Sequence, residues 1–167
     1  MGRKPNVRRR VGHIEARRLR AIIARVRSFP LKKADSGRPE SDLNLALNNW
    51  VATIEPDWTT NQHIKIPFAG ANFNPDGTLA GGPGRPPLIA YEGKRLVDAN
   101  PQKAWKEGIG QAFTYRELFK VAVLVLYDFT TGSTYARALG RGNSTESTFA
   151  SKIRKKWRIH IVVITPT

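Results

Sequence analysis

Residues 73–97, FNPDGTLAGGPGRPPLIAYEGKRLV, decide how this chain folds. The Gly/Pro-rich tip AGGPGRPP (80–87) separates a short run around residues 73–79 from a strongly apolar run, 88–97. That pattern predicts a hairpin of two strands. The second arm is interrupted by Glu92-Gly93-Lys94. Side chains alternate faces along a strand, so Glu92 and Lys94 project on the same side. Charges inside an apolar strand are costly unless something offsets them. Their plainest reading is a pair at a strand end. Sixteen positions before Glu92 stands Asp76, in Asn74-Pro75-Asp76-Gly77. A paired hairpin brings Asp76 close to Glu92 on one sheet face. Two adjoining carboxylates favour a shared divalent cation, since otherwise one takes up a proton. Oxygen ligands suit Mg²⁺. The competing reading of Asp76 is an ordinary Pro-Asp-Gly turn.

Working outward, Ser41 is a candidate N-cap for a helix running to about Ile54, with Leu43, Leu47, Trp50, Val51 and Ile54 on one stripe. Glu55-Pro56-Asp57 ends it, and HIKIPF (63–68) alternates as a half-buried strand does. After the hairpin, Asn100-Pro101 starts a helix to about Phe119, with Trp105, Ile109, Ala112 and Phe113 inward. KVAVLVLYDF (120–129) reads as a buried central strand. A polar connection (130–147), a short basic helix (148–157) and a strand (158–165) close the chain. The predicted fold class is therefore α/β, in the order α-β-β-β-α-β-α-β.

The 167 residues contain no cysteine, which excludes a thiol nucleophile, an iron–sulfur cluster and cysteine-ligated zinc. His13, His63 and His160 are too scattered for a histidine-built metal centre. No apolar run approaches the ~20 residues that span a bilayer, and no secretory signal is visible. The expectation is a cytoplasmic protein without membrane contact or small-molecule cofactor. The net charge is +15, unevenly placed. Residues 1–33 carry twelve basic residues against Glu15 alone; residues 34–167 carry sixteen against twelve acids. The chain thus divides into a basic arm (1–33) and a mildly basic domain (34–167). In the arm, Ile14, Leu19, Ile22, Ile23 and Val26 recur at helical spacing among arginines. Such a helix can lie on the domain while facing a polyanion. Arg8, Arg9, Arg10, Arg17, Arg18, Lys103, Lys106, Lys152, Lys155 and Lys156 are the candidate nucleic-acid contacts. Trp157, beside the last of these, reads as core.

Asp76, then Glu92-x-Lys94 on the following strand, resembles the PD-(D/E)XK nuclease superfamily, with its restriction-endonuclease-like mixed sheet flanked by helices. Gln111-Ala112-Phe113-Thr114-Tyr115 resembles the Q-x-x-x-Y motif of its RecB-like branch. The resemblance implies a metal-dependent DNA endonuclease. Asp76, Glu92 and the Gly93 carbonyl would hold Mg²⁺ or Mn²⁺. Lys94 would orient or help deprotonate the attacking water and stabilise the phosphate, while Gln111 and Tyr115 brace the site. Glu40, ahead of the first domain helix, is the candidate additional acid; its plainer reading is a favourable charge near a helix N-terminus. DNA is the expected partner, with homodimerisation a further expectation. A catalytically inactive nucleic-acid-binding module of the same fold is the alternative, and a peripheral membrane or ribosome-associated protein the third reading.

Overall fold

A computed structural model describes residues 7–60, 64–65, 72–81 and 87–167, with side chains described from Glu15 onward except at 64–65 and 72–73. The arm is helical from its first described residue, α1 (Val7–Arg27). After a 3₁₀ turn (Lys33–Gly37) comes α2 (Glu40–Ala52). Pro39, not Ser41, occupies the N-cap position: its carbonyl accepts from the backbone N–H groups of Asp42 and Leu43. Glu40 and Asp42 then fall in the first turn, where helical N–H groups favour negative charge.

The strands are β1 (Trp58–Thr59), β2 (Ile64–Lys65), β3 (Asn72–Phe73), β4 (Gly77–Leu79), β5 (Ile89–Leu96), β6 (Val121–Asp128) and β7 (Ile159–Ile164). Helices α3 (Pro101–Tyr115), α4 (Thr134–Gly140) and α5 (Thr145–Trp157) complete the order. The main sheet is β1-β4-β5-β6-β7. Pairing is antiparallel from β1 to β5 and parallel from β5 to β7. The chain is thus mixed α/β, with a five-stranded mixed sheet and five helices among the described residues.

Each sheet face has its own core. Ile89, Tyr91, Val123, Val125 and Tyr127 pack with Leu43, Leu47 and Val51 of α2 and with Ile22, Ile23 and Val26 of α1. Ala90, Leu96, Ala122, Leu124 and Leu126 meet Ala112 and Tyr115 of α3 and Ile153 of α5. β6 is buried at all eight positions, as its unbroken apolar run requires. α1 is fastened to the body by its apolar stripe and by ion pairs. Arg18 binds Glu55 (3.0 Å) and Asp57 (3.0 Å), and Lys120 binds Glu15 (3.0 Å).

Several expectations need correction. Of the expected strand 63–68 only Ile64–Lys65 falls within the described residues, and it pairs with Asn72–Phe73 in a separate ribbon rather than in the main sheet. The first sheet strand is Trp58–Thr59, too short to show alternation. The 130–147 connection holds α4, and α5 begins at Thr145 behind a Ser144 cap whose hydroxyl accepts from Ser147 N–H. The predicted order therefore lacks a helix and the ribbon. Helix α3 stops at Tyr115, before Phe119. Ile54 is exposed, and Trp157 is 41% exposed, its ring meeting that of Phe113 edge-on. Residues 82–86, including Arg85 at the hairpin tip, lie outside the described residues.

Candidate active site

The site forms where β4 ends before β5 does. The β4–β5 ladder stops at Gly77↔Tyr91, so the β4-side edge of β5 beyond Tyr91 has no strand partner among the described residues. Its N–H groups still need acceptors, and two carboxylates provide them. Gly93 N–H donates to Asp76 Oδ2 (2.8 Å), and Arg95 N–H donates to Glu40 Oε2 (2.8 Å). A strand residue directs its N–H and C=O to the same neighbour. The Gly93 carbonyl therefore lies on the same edge as Asp76.

Glu92 is buried on the α3 face of β5. Its Oε1 pairs with Lys94 Nζ at 2.8 Å, and its Oε2 accepts from Tyr115 Oη at 2.8 Å. Lys94 Nζ also reaches Glu40 Oε1 at 3.2 Å, and its side chain is only 12% exposed. One ammonium thus faces three acids. Gly108 makes room for this on α3: a Cβ there would lie 2.9 Å from Lys94 Cγ and 2.6 Å from Leu124 Cδ1.

The electrostatics follow from that crowding. Burial, and then repulsion from Glu92, push the Asp76 carboxyl up to about 7, against the pull of the Gly93 N–H and Lys94. Burial likewise raises Glu92, partly opposed by Lys94 and Tyr115. Burial would lower Lys94, but Glu92 and Glu40 outweigh it and hold the ammonium above its ordinary value. Tyr115 is raised by burial and by Glu92, so it remains a hydroxyl donor.

Of the expected site residues, Asp76, Glu92, Gly93, Lys94 and Tyr115 converge, and Glu40 joins them as more than an N-terminal charge. Gln111 lies one helical turn before Tyr115, and its Oε1 is buried without a hydrogen-bond partner. Asp57, the aspartate of the other Pro-Asp pair in the chain, stays 72% exposed on Arg18. The side chains of Arg8, Arg9 and Arg10 lie outside the described residues. Arg17, Lys103, Lys106, Lys152, Lys155 and Lys156 are exposed, whereas Arg18 is taken up by Glu55 and Asp57.

Sequence reasoning missed the bracing layer. Asn48 Nδ2 donates to the Asp76 carbonyl (2.7 Å) while its Oδ1 accepts from Trp58 Nε1 (2.7 Å). Asn44 Oδ1 accepts from Tyr91 Oη (2.7 Å) and Tyr127 Oη (2.9 Å). Two asparagines four residues apart on the apolar face of α2 were the available signal.

Among the described residues, no three His, Asp or Glu side chains gather to hold a metal. Mg²⁺ needs less, since it is commonly bound through one or two carboxylates and keeps several waters. The donors present fit it. Asp76 Oδ1 accepts no hydrogen bond among the described residues, Glu92 adds a second carboxylate, and the Gly93 carbonyl shares their edge. The oxygens of Glu92 and of Glu40 each accept one bond, from Lys94 and Tyr115 and from Lys94 and Arg95, and each keeps a second lone pair.

No family model, curated protein or solved structure matches this chain. Among the described residues, no helix is long and apolar enough to cross a membrane.

Proposed function

We propose that this chain is a Mg²⁺-dependent deoxyribonuclease with a restriction-endonuclease-like fold of the PD-(D/E)XK type. One observation carries the reading: Lys94 bonds both Glu92 and Glu40 beside an Asp76 whose charge burial and Glu92 disfavour. A purely structural ion pair needs no third acid. A cluster with more carboxylates than ammonium groups and an Asp76 oxygen without a donor suits a cation-assisted reaction on a phosphodiester. Mg²⁺, or Mn²⁺ in its place, would be held by Asp76, Glu92 and the Gly93 carbonyl, supplying Lewis-acid polarisation and charge neutralisation at the phosphate.

The chain's own groups supply the rest. Lys94 Nζ, kept as an ammonium by two carboxylates, donates to the attacking water or to a non-bridging oxygen and stabilises the pentavalent charge. This makes it an orienting donor rather than a base. Tyr115 Oη fixes one oxygen of Glu92 and leaves the other to Lys94. Glu40 tethers α2 to the edge of β5 and gives Lys94 a second carboxylate partner. The exposed Arg17, Lys103, Lys106, Lys152, Lys155 and Lys156, within a net charge of +15, suit a phosphate backbone read without sequence. Homodimerisation would let each strand of a duplex meet one site.

The test is nicking of supercoiled plasmid with Mg²⁺ and with EDTA, for the wild type and Lys94→Ala. Expected is metal-dependent nicking that Lys94→Ala loses while still binding DNA. DNA binding without metal-dependent cleavage by the wild type would favour an inactive binding module of this fold.

A further inference from the structure

Away from the acidic cluster, a cavity of about 260 Å³ lies by β7, the last strand of the sheet among the described residues, between the end of α1 and α5. Ser147, Ser151 and Arg154 line it from α5. Their i, i+4, i+7 spacing puts all three on one helical stripe. Arg27, from the last turn of α1, and His160, from β7, complete the polar lining.

Every charged group in this lining is a cation, and no carboxylate contributes. The ion pairs among the described residues occupy Arg18, Arg38, Lys94, Lys103 and Lys120, and leave Arg27 and Arg154 without an acidic partner there. The His160 imidazole feels both guanidiniums. Burial first, then the positive charges of Arg154 and Arg27, hold its proton affinity below the ordinary histidine value. Like charges gathered around a concavity, with two serine hydroxyls beside them, form a donor-rich set without an anionic acceptor. An anion carrying several oxygens completes it, and guanidinium forks match phosphate oxygens two at a time. The volume lies below the roughly 300–1,000 Å³ of pockets that enclose whole small molecules. It suits a phosphate group rather than a nucleotide.

We propose that this cavity is a phosphate-binding site, occupied by one backbone phosphate of a bound nucleic-acid strand. The anion site stands on its own geometry; its assignment to a nucleic-acid phosphate rests on the proposed function. Two features favour that source over free phosphate. Lys152, Lys155 and Lys156 extend the exposed positive charge along α5. The register His160↔Val123↔Tyr91 places the cavity level with the acidic cluster, two strands or about 10 Å across the sheet from β5.

The test uses the full chain in EDTA, so that no cleavage intervenes. Inorganic phosphate is titrated while the His160 imidazole resonances are followed by NMR, and a short DNA oligonucleotide is then added as competitor. Phosphate should shift His160 saturably, and the oligonucleotide should displace it. Arg154→Ala and Arg27→Ala should each weaken phosphate binding about tenfold. Arg141→Ala, an equal loss of charge away from the cavity, should leave it unchanged. Arg27 and Arg154 are exposed, with no ion pair among the described residues, so both variants should keep the wild-type circular dichroism. Absence of a His160 response, or equal weakening by Arg141→Ala, would overturn the anion site. Phosphate binding that DNA fails to displace would overturn the nucleic-acid assignment. Loss of Mg²⁺-dependent nicking with the His160 response intact would count against the nuclease reading alone.

Discussion

Replacing Asp76 by asparagine should stabilise the metal-free protein, and increasingly so as the pH rises. Asp76 titrates near 7 in the folded chain against 3.8 as an ordinary aspartate. Its charged form is thus disfavoured by folding. The sign follows from proton linkage: between those two values the folded chain holds a proton that the unfolded chain has lost, so stability falls as pH rises. From pH 5 to pH 7 the penalty grows by about 2 kcal/mol, and it levels off above that. The substituted amide carries no charge, keeps an oxygen for the Gly93 N–H and relieves Glu92 of its neighbour. At roughly 2–4 °C per kcal/mol for a chain of this size, the advantage of Asp76→Asn should widen by roughly 4–8 °C over that range. Thermal unfolding followed by circular dichroism in EDTA, from pH 5 to pH 8.5, measures it. Mg²⁺ at pH 8 should raise the melting temperature of the wild type and leave Asp76→Asn unmoved. A melting-temperature difference between the two proteins that does not change with pH would refute the claim that Asp76 is held against its charge.

Lys94→Met should destabilise the fold by about 3 kcal/mol, because it leaves Glu92 buried without its counter-charge; urea unfolding should show Glu92→Gln on the same background recovering part of that loss. Gly93→Ala should cost about 3 kcal/mol in the same assay, since a Cβ there would overlap Asn44 Oδ1 and lie 2.9 Å from Tyr91 Oη. Asn48→Ala should lower stability by about 2 kcal/mol by stranding the Trp58 Nε1–H and the Asp76 carbonyl; nicking assays should show a matching loss of rate as Asp76 loosens. Arg18→Ala should lower stability by about 2 kcal/mol, because it strands the buried Glu55 carboxylate, whereas Asp57 stays in solvent.

The hairpin and the E-x-K strand were legible because two conflicts with a simple apolar strand fell at fixed spacing: Asp76 in a turn and Glu92-Gly93-Lys94 in a core run. The buried β6 and the Pro101 start of α3 were legible from composition and from proline's fixed φ. Trp58–Thr59 was not, because two residues carry no period; its place is set by Asn48 and by β4. α4 was hidden for a different reason. Its first turn is organised from outside, by Asp128, which accepts from Thr130 N–H and Ala136 N–H, and by Thr130 Oγ1, which accepts from Thr134 N–H. Ser133, in its N-cap position, has φ 51° and makes no side-chain cap. In the site, Gln111 and Tyr115 were legible as a helical pair, but Asn44 and Asn48 were not. Their hydrogen bonds run to Tyr91, Tyr127, Trp58 and Asp76, all distant in sequence.

The geometry also explains why acids collect at this edge of β5 rather than anywhere else in the sheet. A ladder that ends early leaves backbone N–H groups facing an interior from which water is largely excluded, and each needs an acceptor. Further pairing by β4 would satisfy Gly93 and Arg95 with carbonyls and create no charge. Carboxylates satisfy the same donors, but add negative charge that one lysine only partly offsets. The second solution is the less stable one by itself, as the raised Asp76 value shows. It gains only when a cation arrives. Extending β4 with uncharged residues, Asp76→Thr for example, should therefore yield a more stable and inert protein. Such a variant that still nicked DNA with Mg²⁺ would remove Asp76 from the catalytic set and leave the shortened ladder without a chemical reason.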